Sequence, residues 1–187
     1  MRIGILGFQG DFEEHGNIIL QIGAEPVYVK YPDQLKHIDA LILPGGESTH
    51  FARILTRYDL GESLKEFEKP ILGTCAGIIL LAKKIEGGYP GFSLEKLDIT
   101  ISRNAYGRQR ESFEDEVLVN WEGDERVING VFIRAPRIVD VGNVDVVARL
   151  RDGEIVGVRK GNVIGLTFHP ELAGETFFHE KLLNLNL

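Results

Sequence analysis

The 187-residue sequence predicts an α/β domain with a mostly parallel sheet and an antiparallel β extension in its second half. Short apolar strands alternate with helical patterns in the first half, whereas in the second half strands follow one another with only turns between them. Parallel strands need crossovers that cover both faces of a sheet, so the first pattern indicates a parallel sheet with helices on both sides. The length is typical of one domain, and we expect a single domain over residues 1–187.

The first strand and helix follow each other directly. The apolar stretch 2–6 is closed by Gly7 and predicts a strand. Asp11 can then cap a helix that runs to about Gln21, because a short carboxylate accepts from the free N–H groups of a first turn. The apolar side of this helix consists of Phe12, Ile18, Ile19 and Ile22.

The remaining elements of the first half repeat this alternation. Strands are predicted at 27–29, 39–43 and 71–72. Ser48 or Thr49 can cap a helix from His50 to about Tyr58, and further helices are expected at 60–68 and 78–82.

The second half contains six candidate strands, at 98–101, 116–119, 130–133, 144–150, 154–159 and 163–168. The dipeptides Asp152-Gly153 and Gly161-Asn162 are typical of hairpin turns. A helix over 175–183 is expected to follow the last strand.

Charge and composition exclude several classes of protein. The net charge of −7 disfavours binding to nucleic acid or to an anionic membrane surface. A single cysteine excludes a disulfide within the chain and a cysteine-rich zinc site. The sequence has no apolar run of 18 residues and begins with a strand rather than a signal-peptide pattern, so we expect a cytoplasmic protein.

The single cysteine lies where a strand is predicted to meet a helix. Gly73 and Gly77 flank Cys75 in a G-x-C-x-G pattern, the thiol analogue of the G-x-S-x-G nucleophile elbow. A tight turn would give the cysteine strained backbone angles and leave no room for side chains two residues away. A buried, unreactive cysteine is the alternative, but the paired glycines favour a nucleophile at a helix N-terminus, where the thiolate is stabilised.

A thiol nucleophile needs a general base and a group that orients it. His169 follows the apolar strand 163–168, at the sheet edge where Cys75 also emerges. Pro170 is expected to keep the chain extended, so that Glu171 can accept from Nδ1 of His169 and leave Nε2 facing the thiol. Because no acidic cluster or second histidine has ligand spacing here, we expect no metal site.

The other four histidines are weaker candidates for a catalytic base. His37 lies in a polar connection and His50 in a first helical turn, where exposure to solvent is expected. His15 and His179 lie on predicted helices and are interpreted as packing or surface residues.

A third motif, Pro44-Gly45-Gly46-Glu47-Ser48, follows the strand 39–43. Glycines there let the backbone approach a ligand and supply N–H donors. We expect the N–H groups of Gly46 and Ala76 to form an oxyanion hole, in which each donor is typically worth about 2.7–4 kcal/mol. A plain turn between strand and helix is the alternative.

Taken together, three motifs resemble the class I, triad-type glutamine amidotransferases. They are Gly73-Thr74-Cys75-Ala76-Gly77, His169-Pro170-Glu171 and Pro44-Gly45-Gly46-Glu47-Ser48. The stretches 7–12, 102–109 and 131–136 are similar to the branch of that family that serves pyridoxal 5′-phosphate synthases, and its run Arg-Asn-x-x-Gly-Arg-Gln at 103–109 is the specific part.

The resemblance implies a three-layer flavodoxin-like glutaminase that needs no cofactor. It would hydrolyse L-glutamine to L-glutamate and ammonia through a thioester on Cys75, and pass the ammonia to a PdxS-type synthase subunit for pyridoxal 5′-phosphate (vitamin B6) biosynthesis. The first helix would dock that partner, and the isolated subunit would be a poor glutaminase. The glutamine-binding positions carried over from the family are Gly46, Glu47, Ser48, Arg103, Ile133 and Arg134.

Three alternatives remain open from the sequence. A glutaminase of another synthase, such as the one that makes imidazole glycerol phosphate, would respond to a different partner. A cysteine peptidase would cleave peptides with the same Cys75 and His169. A non-enzymatic scaffold subunit would tolerate replacement of Cys75.

Overall fold

The computed structural model describes residues 1–8, 10–87, 91–103 and 112–185, and in these ranges the main sheet has nine strands. The strands of the chain are β1 (Arg2–Leu6), β2 (Glu25–Val29), β3 (Ala40–Leu43), β4 (Ile71–Thr74), β5 (Ala82–Glu86), β6 (Leu97–Ser102), β7 (Ser112–Trp121), β8 (Asp124–Ile133), β9 (Arg137–Val141), β10 (Asp145–Leu150), β11 (Ile155–Lys160) and β12 (Val163–Leu166). The helices are α1 (Phe12–Gln21), α2 (Ser48–Arg57), α3 (Leu60–Lys65), α4 (Ala76–Leu81) and α5 (Phe177–Asn184).

The strand order of the main sheet is β2-β1-β3-β4-β12-β11-β10-β7-β8. The pairs from β2 to β12 are parallel, and those from β12 to β8 are antiparallel. The predicted parallel half and antiparallel extension are therefore confirmed. Strands β5, β6 and β9 form a separate three-stranded sheet, of which only β6 was anticipated from the sequence.

Alternating residues of the central strands send their side chains to two different cores. In β3, Leu41 and Leu43 belong to a core with residues of α2, α3, α4 and the small sheet. Ala40 and Ile42 belong to the other core, which includes residues of α1 and α5. The sheet therefore lies between two helical layers. Within the described residues, no helix combines the length and apolar character needed to cross a bilayer.

Two predictions about helix ends were wrong. Glu47, and not Ser48 or Thr49, caps α2, because its carboxylate accepts from the N–H groups of Thr49 and His50 at 2.9 and 2.7 Å. The helix after Cys75 begins at Ala76 and ends at Leu81, and the chain then enters β5.

Candidate active site

Cys75 lies in the sharp turn between β4 and α4. Its backbone has φ 50° and ψ −104°, a left-handed conformation that costs a side-chain-bearing residue about 1–3 kcal/mol. The turn is held by the Cys75 N–H, which donates to the carbonyl oxygen of Leu166 on the adjacent β12 at 2.9 Å. The strained strand-to-helix turn predicted from the sequence is therefore present.

The two flanking glycines are required by close packing. A Cβ added to Gly77 would lie 2.0 Å from the carbonyl oxygen of Leu43, and one added to Gly73 would lie 2.8 Å from the carbonyl carbon of Gly77. Neither position can accept a larger residue without moving backbone. The glycines thus allow the turn to press against β3.

His169 and Glu171 are in contact as expected, but the backbone between them has a different conformation from the one predicted. His169 is anchored by its N–H, which donates to the carbonyl oxygen of Val131 at 2.8 Å. Pro170 has φ −66° and ψ −32°, so it starts a short 3-10 turn over Glu171–Ala173 rather than extending the chain. The turn brings Oε1 of Glu171 to 2.7 Å from Nδ1 of His169.

The environment of His169 favours its charged form. Burial of the ring opposes the charge, but hydrogen bonds with Asp11, Cys75 and Glu171 outweigh it and raise the pKa of His169 well above its ordinary value. Burial raises the pKa of Glu171, whereas the hydrogen bond and charge of His169 act against that rise. An imidazolium bound at Nδ1 leaves Nε2 for the sulfur, an arrangement that stabilises a neighbouring thiolate.

Asp11 is a residue of this site that the sequence reasoning missed. Its side chain makes no capping hydrogen bond to α1, contrary to the prediction. Instead Oδ2 lies 3.0 Å from Nδ1 of His169, so two carboxylates share one ring nitrogen. No pattern in the sequence distinguishes this use of Asp11 from a helix cap.

His15 and His179 are fully buried behind the triad. They are packing residues as anticipated, but they also contact each other, with 2.8 Å between Nδ1 of His15 and Nε2 of His179. Nε2 of His15 faces Oγ1 of Thr74 at 3.1 Å and Oε1 of Glu171 at 3.5 Å. His37 and His50 are exposed, as expected.

A cavity of about 260 Å³ opens above the sulfur. It brings together most of the residues singled out in the sequence, whereas Glu171 lies behind His169 and outside the lining. The lining consists of Gly10, Asp11, Gly46, Glu47, Cys75, Ala76, Ile79, Arg103, Ile133, Arg134 and His169. The side chain of Ser48, residue Gln9 and the stretch 104–109 lie outside the described residues.

Glu47 and Arg103 form one side of the cavity. Arg103 donates from Nη2 to Oγ1 of Thr49 at 3.3 Å, and the same nitrogen lies 4.0 Å from Oε1 of Glu47. Partial burial raises the pKa of Glu47, but the hydrogen bonds with Thr49 and His50 prevail and lower it. Glu47 is therefore an anion that faces the cavity while it caps α2.

The loop after β3 is in close contact with the loop before α1. A Cβ added to Gly10 would lie 1.9 Å from the carbonyl oxygen of Gly45, and one added to Gly45 would lie 2.3 Å from Cε1 of His169. Gly46 has φ 133°, which favours glycine. The two glycine loops and the His169 ring are thus packed without intervening side chains.

One cluster at the site has the spacing of a metal centre. Asp11, His169 and Glu171 place one ligand atom each within 4.8 Å of one another, so the expectation that no acidic cluster surrounds His169 was wrong. These atoms are already joined by hydrogen bonds through Nδ1. A metal ion there would have to displace the proton on Nδ1 of His169, which both carboxylates contact.

Comparisons with known proteins show the family to which the chain belongs. A family model described as the SNO glutamine amidotransferase family matches residues 5–184. The chain is 51% identical to the pyridoxal 5′-phosphate synthase subunit PdxT of Geobacillus kaustophilus, over 99% of this chain and 94% of that one. It is 44% identical to the PdxT subunit of Thermosipho africanus, over 99% and 98%. A crystal structure of a glutamine amidotransferase superposes with a TM-score of 0.91 at 40% identity, over 98% of both chains. The chain belongs to the SNO glutamine amidotransferase family.

Proposed function

We propose that the chain is the glutaminase subunit of a pyridoxal 5′-phosphate synthase. Residues 1–187 act as one glutaminase domain that hydrolyses L-glutamine to L-glutamate and ammonia. The ammonia passes to a PdxS-type synthase subunit. The observation that carries the proposal is the placement of Cys75, in its strained turn, in one cavity with a His169 ring held by Glu171 at 2.7 Å.

The first chemical step forms a bond between sulfur and the side-chain amide carbon of glutamine. The Cys75 thiolate attacks that carbon, and the carbonyl electron pair moves to oxygen. The N–H of Ala76, at the start of α4, and the N–H of Gly46 donate to this oxyanion.

The second step breaks the carbon–nitrogen bond. Nε2 of His169 gives its proton to the departing nitrogen, which is released as ammonia. A γ-glutamyl thioester remains on Cys75. His169 then takes a proton from a water molecule as the water oxygen bonds to the thioester carbon. The carbon–sulfur bond breaks, which releases L-glutamate and restores the Cys75 thiolate beside a protonated His169. Such proton transfers typically contribute about 10²–10⁴-fold to the rate.

The cavity suits an amino acid in size and charge. Its volume of about 260 Å³ is below the ~300–1,000 Å³ of pockets for drug-sized ligands. Arg103 and Arg134 supply cations for the substrate carboxylate, and Glu47 supplies an anion for its ammonium group. Gly46, Ser48 and Ile133 complete the proposed glutamine-binding positions.

Docking of the synthase subunit could change the site through contacts between two loops. The loop before α1 contacts the glycine loop at Gly45, which in turn contacts the His169 ring. A partner bound at α1 could therefore shift the loop that contains Gly45 and Gly46, whose N–H group at Gly46 is a proposed oxyanion donor, through direct backbone contacts. Ammonia reacts only when unprotonated, so its transfer within a docked complex avoids its loss as ammonium. We place the reaction in the cytoplasm, where a free thiol stays reduced.

Covalent trapping tests the proposal directly. A glutamine-analogue diazoketone is incubated with the chain, with and without the synthase subunit, and the intact mass is measured. Because Cys75 is the sole cysteine, a single adduct reports on that sulfur alone. We expect one adduct that forms faster with the partner, together with glutamate release that is lost in Cys75→Ser.

Other outcomes would contradict the proposal. Glutamate release by Cys75→Ser would remove the nucleophile from the mechanism. Stimulation by another synthase but not by a PdxS-type subunit would reassign the partner, and peptide cleavage without any response to glutamine would favour a peptidase.

A further inference from the structure

The small sheet carries the two arginines proposed for the substrate carboxylate, Arg103 and Arg134 (the cavity arginines). Arg103 directly follows Ser102, the last residue of β6, and Arg134 lies just before β9, which begins at Arg137. Strands β6 and β9 are antiparallel neighbours, and Ser102 lies opposite Arg137. Both cavity arginines therefore lie at the same end of the small sheet, where they line the cavity.

The connection between Arg134 and β9 is short and stiff. It consists of Ala135 and Pro136, which are both buried, and the ring of the proline fixes its own φ. Arg134 itself has φ 45°, in the left-handed region that a residue with a side chain occupies only where its surroundings hold it there. A displacement of Arg137 is therefore passed on to Arg134 rather than absorbed by a loose loop.

Apolar packing holds the small sheet against the rest of the domain. Ile99 and Ile101 of β6 and Ile138 of β9 belong to the core that also contains residues of α2, α3 and α4. Burial of apolar surface favours contact but prescribes no direction. A directional bond from the small sheet to the main sheet thus adds a restraint on position that this packing does not supply.

Arg137 makes such a bond. Its Nε donates to Oε1 of Glu154 at 3.1 Å, and Glu154 lies in the turn between β10 and β11 of the main sheet. The side chain of Glu154 is only 10% exposed, whereas that of Arg137 is 43% exposed. Because the carboxylate is largely shielded from water, this charged hydrogen bond is stronger than a pair between two exposed side chains.

We propose that Glu154 is a positioning residue for substrate binding, which acts through Arg137 and the small sheet on the cavity arginines. This inference rests on the proposed glutaminase function and adds two residues to it. Neither Glu154 nor Arg137 lines the cavity, so their effect reaches glutamine only through the residues that do. The affinity for glutamine should therefore depend on this ion pair, whereas the reaction at Cys75 should not.

A double-mutant cycle on the complex with the synthase subunit tests the proposal. Glutamate release is measured for Glu154→Ala, for Arg137→Ala and for the double variant. We expect each single variant to raise KM about 3- to 10-fold with little change in kcat. The double variant should raise KM no further than the single variants, because all three lose the same bond. Arg137→Lys keeps a cation facing Glu154 and should retain most of the affinity.

Glu116→Ala is the matched control. It also breaks a pair between a glutamate and an arginine, since Glu116 pairs with Arg151, but both partners lie outside the small sheet and are at least half exposed. We expect its KM to equal that of the wild type. Unfolding transitions of all variants are recorded, and Arg137→Ala, which replaces a partly exposed side chain, maintains the test if Glu154→Ala does not fold.

Several outcomes would overturn the inference. One is an unchanged KM in both single variants, and another is a fall in kcat without a rise in KM. A double variant whose rise in KM equals the product of the two single effects would show that Glu154 and Arg137 act independently. An equal rise in Glu116→Ala would assign the effect to the loss of charge alone. If the wild-type complex releases no glutamate at all, the proposed function fails instead.

Discussion

The cavity has two walls of very different character. The wall proposed for the chemistry is buried, since Cys75 and His169 are 6% and 3% exposed, and Glu171 behind it is 5% exposed. The opposite rim is open to solvent, since the side chain of Glu47 is 54% exposed and that of Arg103 is 26% exposed. Arg134 and Gly46 on this rim are also exposed.

The difference follows from the elements that carry each wall. Cys75 and His169 follow β4 and β12, which are parallel neighbours with Thr74 opposite Leu166. The ends of such strands meet at one edge of the sheet, so the sheet itself fixes their separation. The rim residues lie at loops and element ends, where a substrate or a partner can reach them. The sheet therefore fixes the residues proposed for the reaction, whereas the residues proposed for substrate contact lie at exposed loops and element ends.

The largest expected effect tests the buried wall. Glu171→Gln keeps the shape of the side chain but removes the nearer of the two carboxylate anions that contact Nδ1 of His169. We expect kcat to fall about 10³-fold, within the range for loss of an orienting carboxylate, with little change in KM. Steady-state glutamate release with the synthase subunit measures both constants. A rise in KM without a change in kcat would show that Glu171 contacts substrate. The buried residues and the rim would then not differ in function as proposed.

An intermediate effect is expected at the rim. Arg103→Ala and Arg134→Ala each remove a cation that can hold the glutamine carboxylate, and a charged hydrogen bond is worth about 1.5–3 kcal/mol. We expect KM to rise about 10- to 100-fold for the variant whose arginine binds that group, while kcat changes less. Arg151→Ala is the control, because this exposed arginine lies outside the cavity lining and pairs with Glu116.

A KM that stays unchanged in both rim variants would remove these arginines from substrate binding. A fall in kcat equal to that of Glu171→Gln would instead assign them to the reaction itself.

The smallest effect is expected at Asp11, which lies between the two walls and is 28% exposed at its side chain. Asp11→Asn removes one of the anions that raise the pKa of His169, so the ring loses its proton at lower pH than in the wild type. The alkaline limb of the kcat profile should move down by about one pH unit, with less than about tenfold change at pH 7.

Glu13→Gln is the matched control for Asp11→Asn, since it removes the same charge from an exposed position in the first turn of α1. An upward shift of the alkaline limb, or an equal shift in both variants, would show that Asp11 does not act on the ring directly.

The sequence predicted the parts of this site that depend on strand ends. Cys75 and His169 each follow an apolar strand, and the parallel pattern places such ends together, so their meeting could be anticipated. The glycines around Cys75 could be anticipated for the same reason, because close backbone contact leaves few alternatives.

The parts that depend on tertiary contact could not be predicted in this way. Asp11 and a helix-capping aspartate look the same in sequence, and only packing of the α1 loop against His169 tells them apart. His15 and His179 are far apart in the chain, and nothing local indicates that their rings touch. The contact between His169 and Glu171 was predicted correctly, but the backbone conformation at Pro170 was not. A turn, rather than an extended chain, joins His169 to Glu171.

The position of β12 between β4 and β11 has a consequence for the newly synthesised protein. In a nascent chain Cys75 leaves the ribosome well before His169. Until β12 inserts beside β4, Cys75 lacks the base that we propose for it. The strand order thus makes the proposed pairing of Cys75 with His169 depend on a strand that is synthesised after β4.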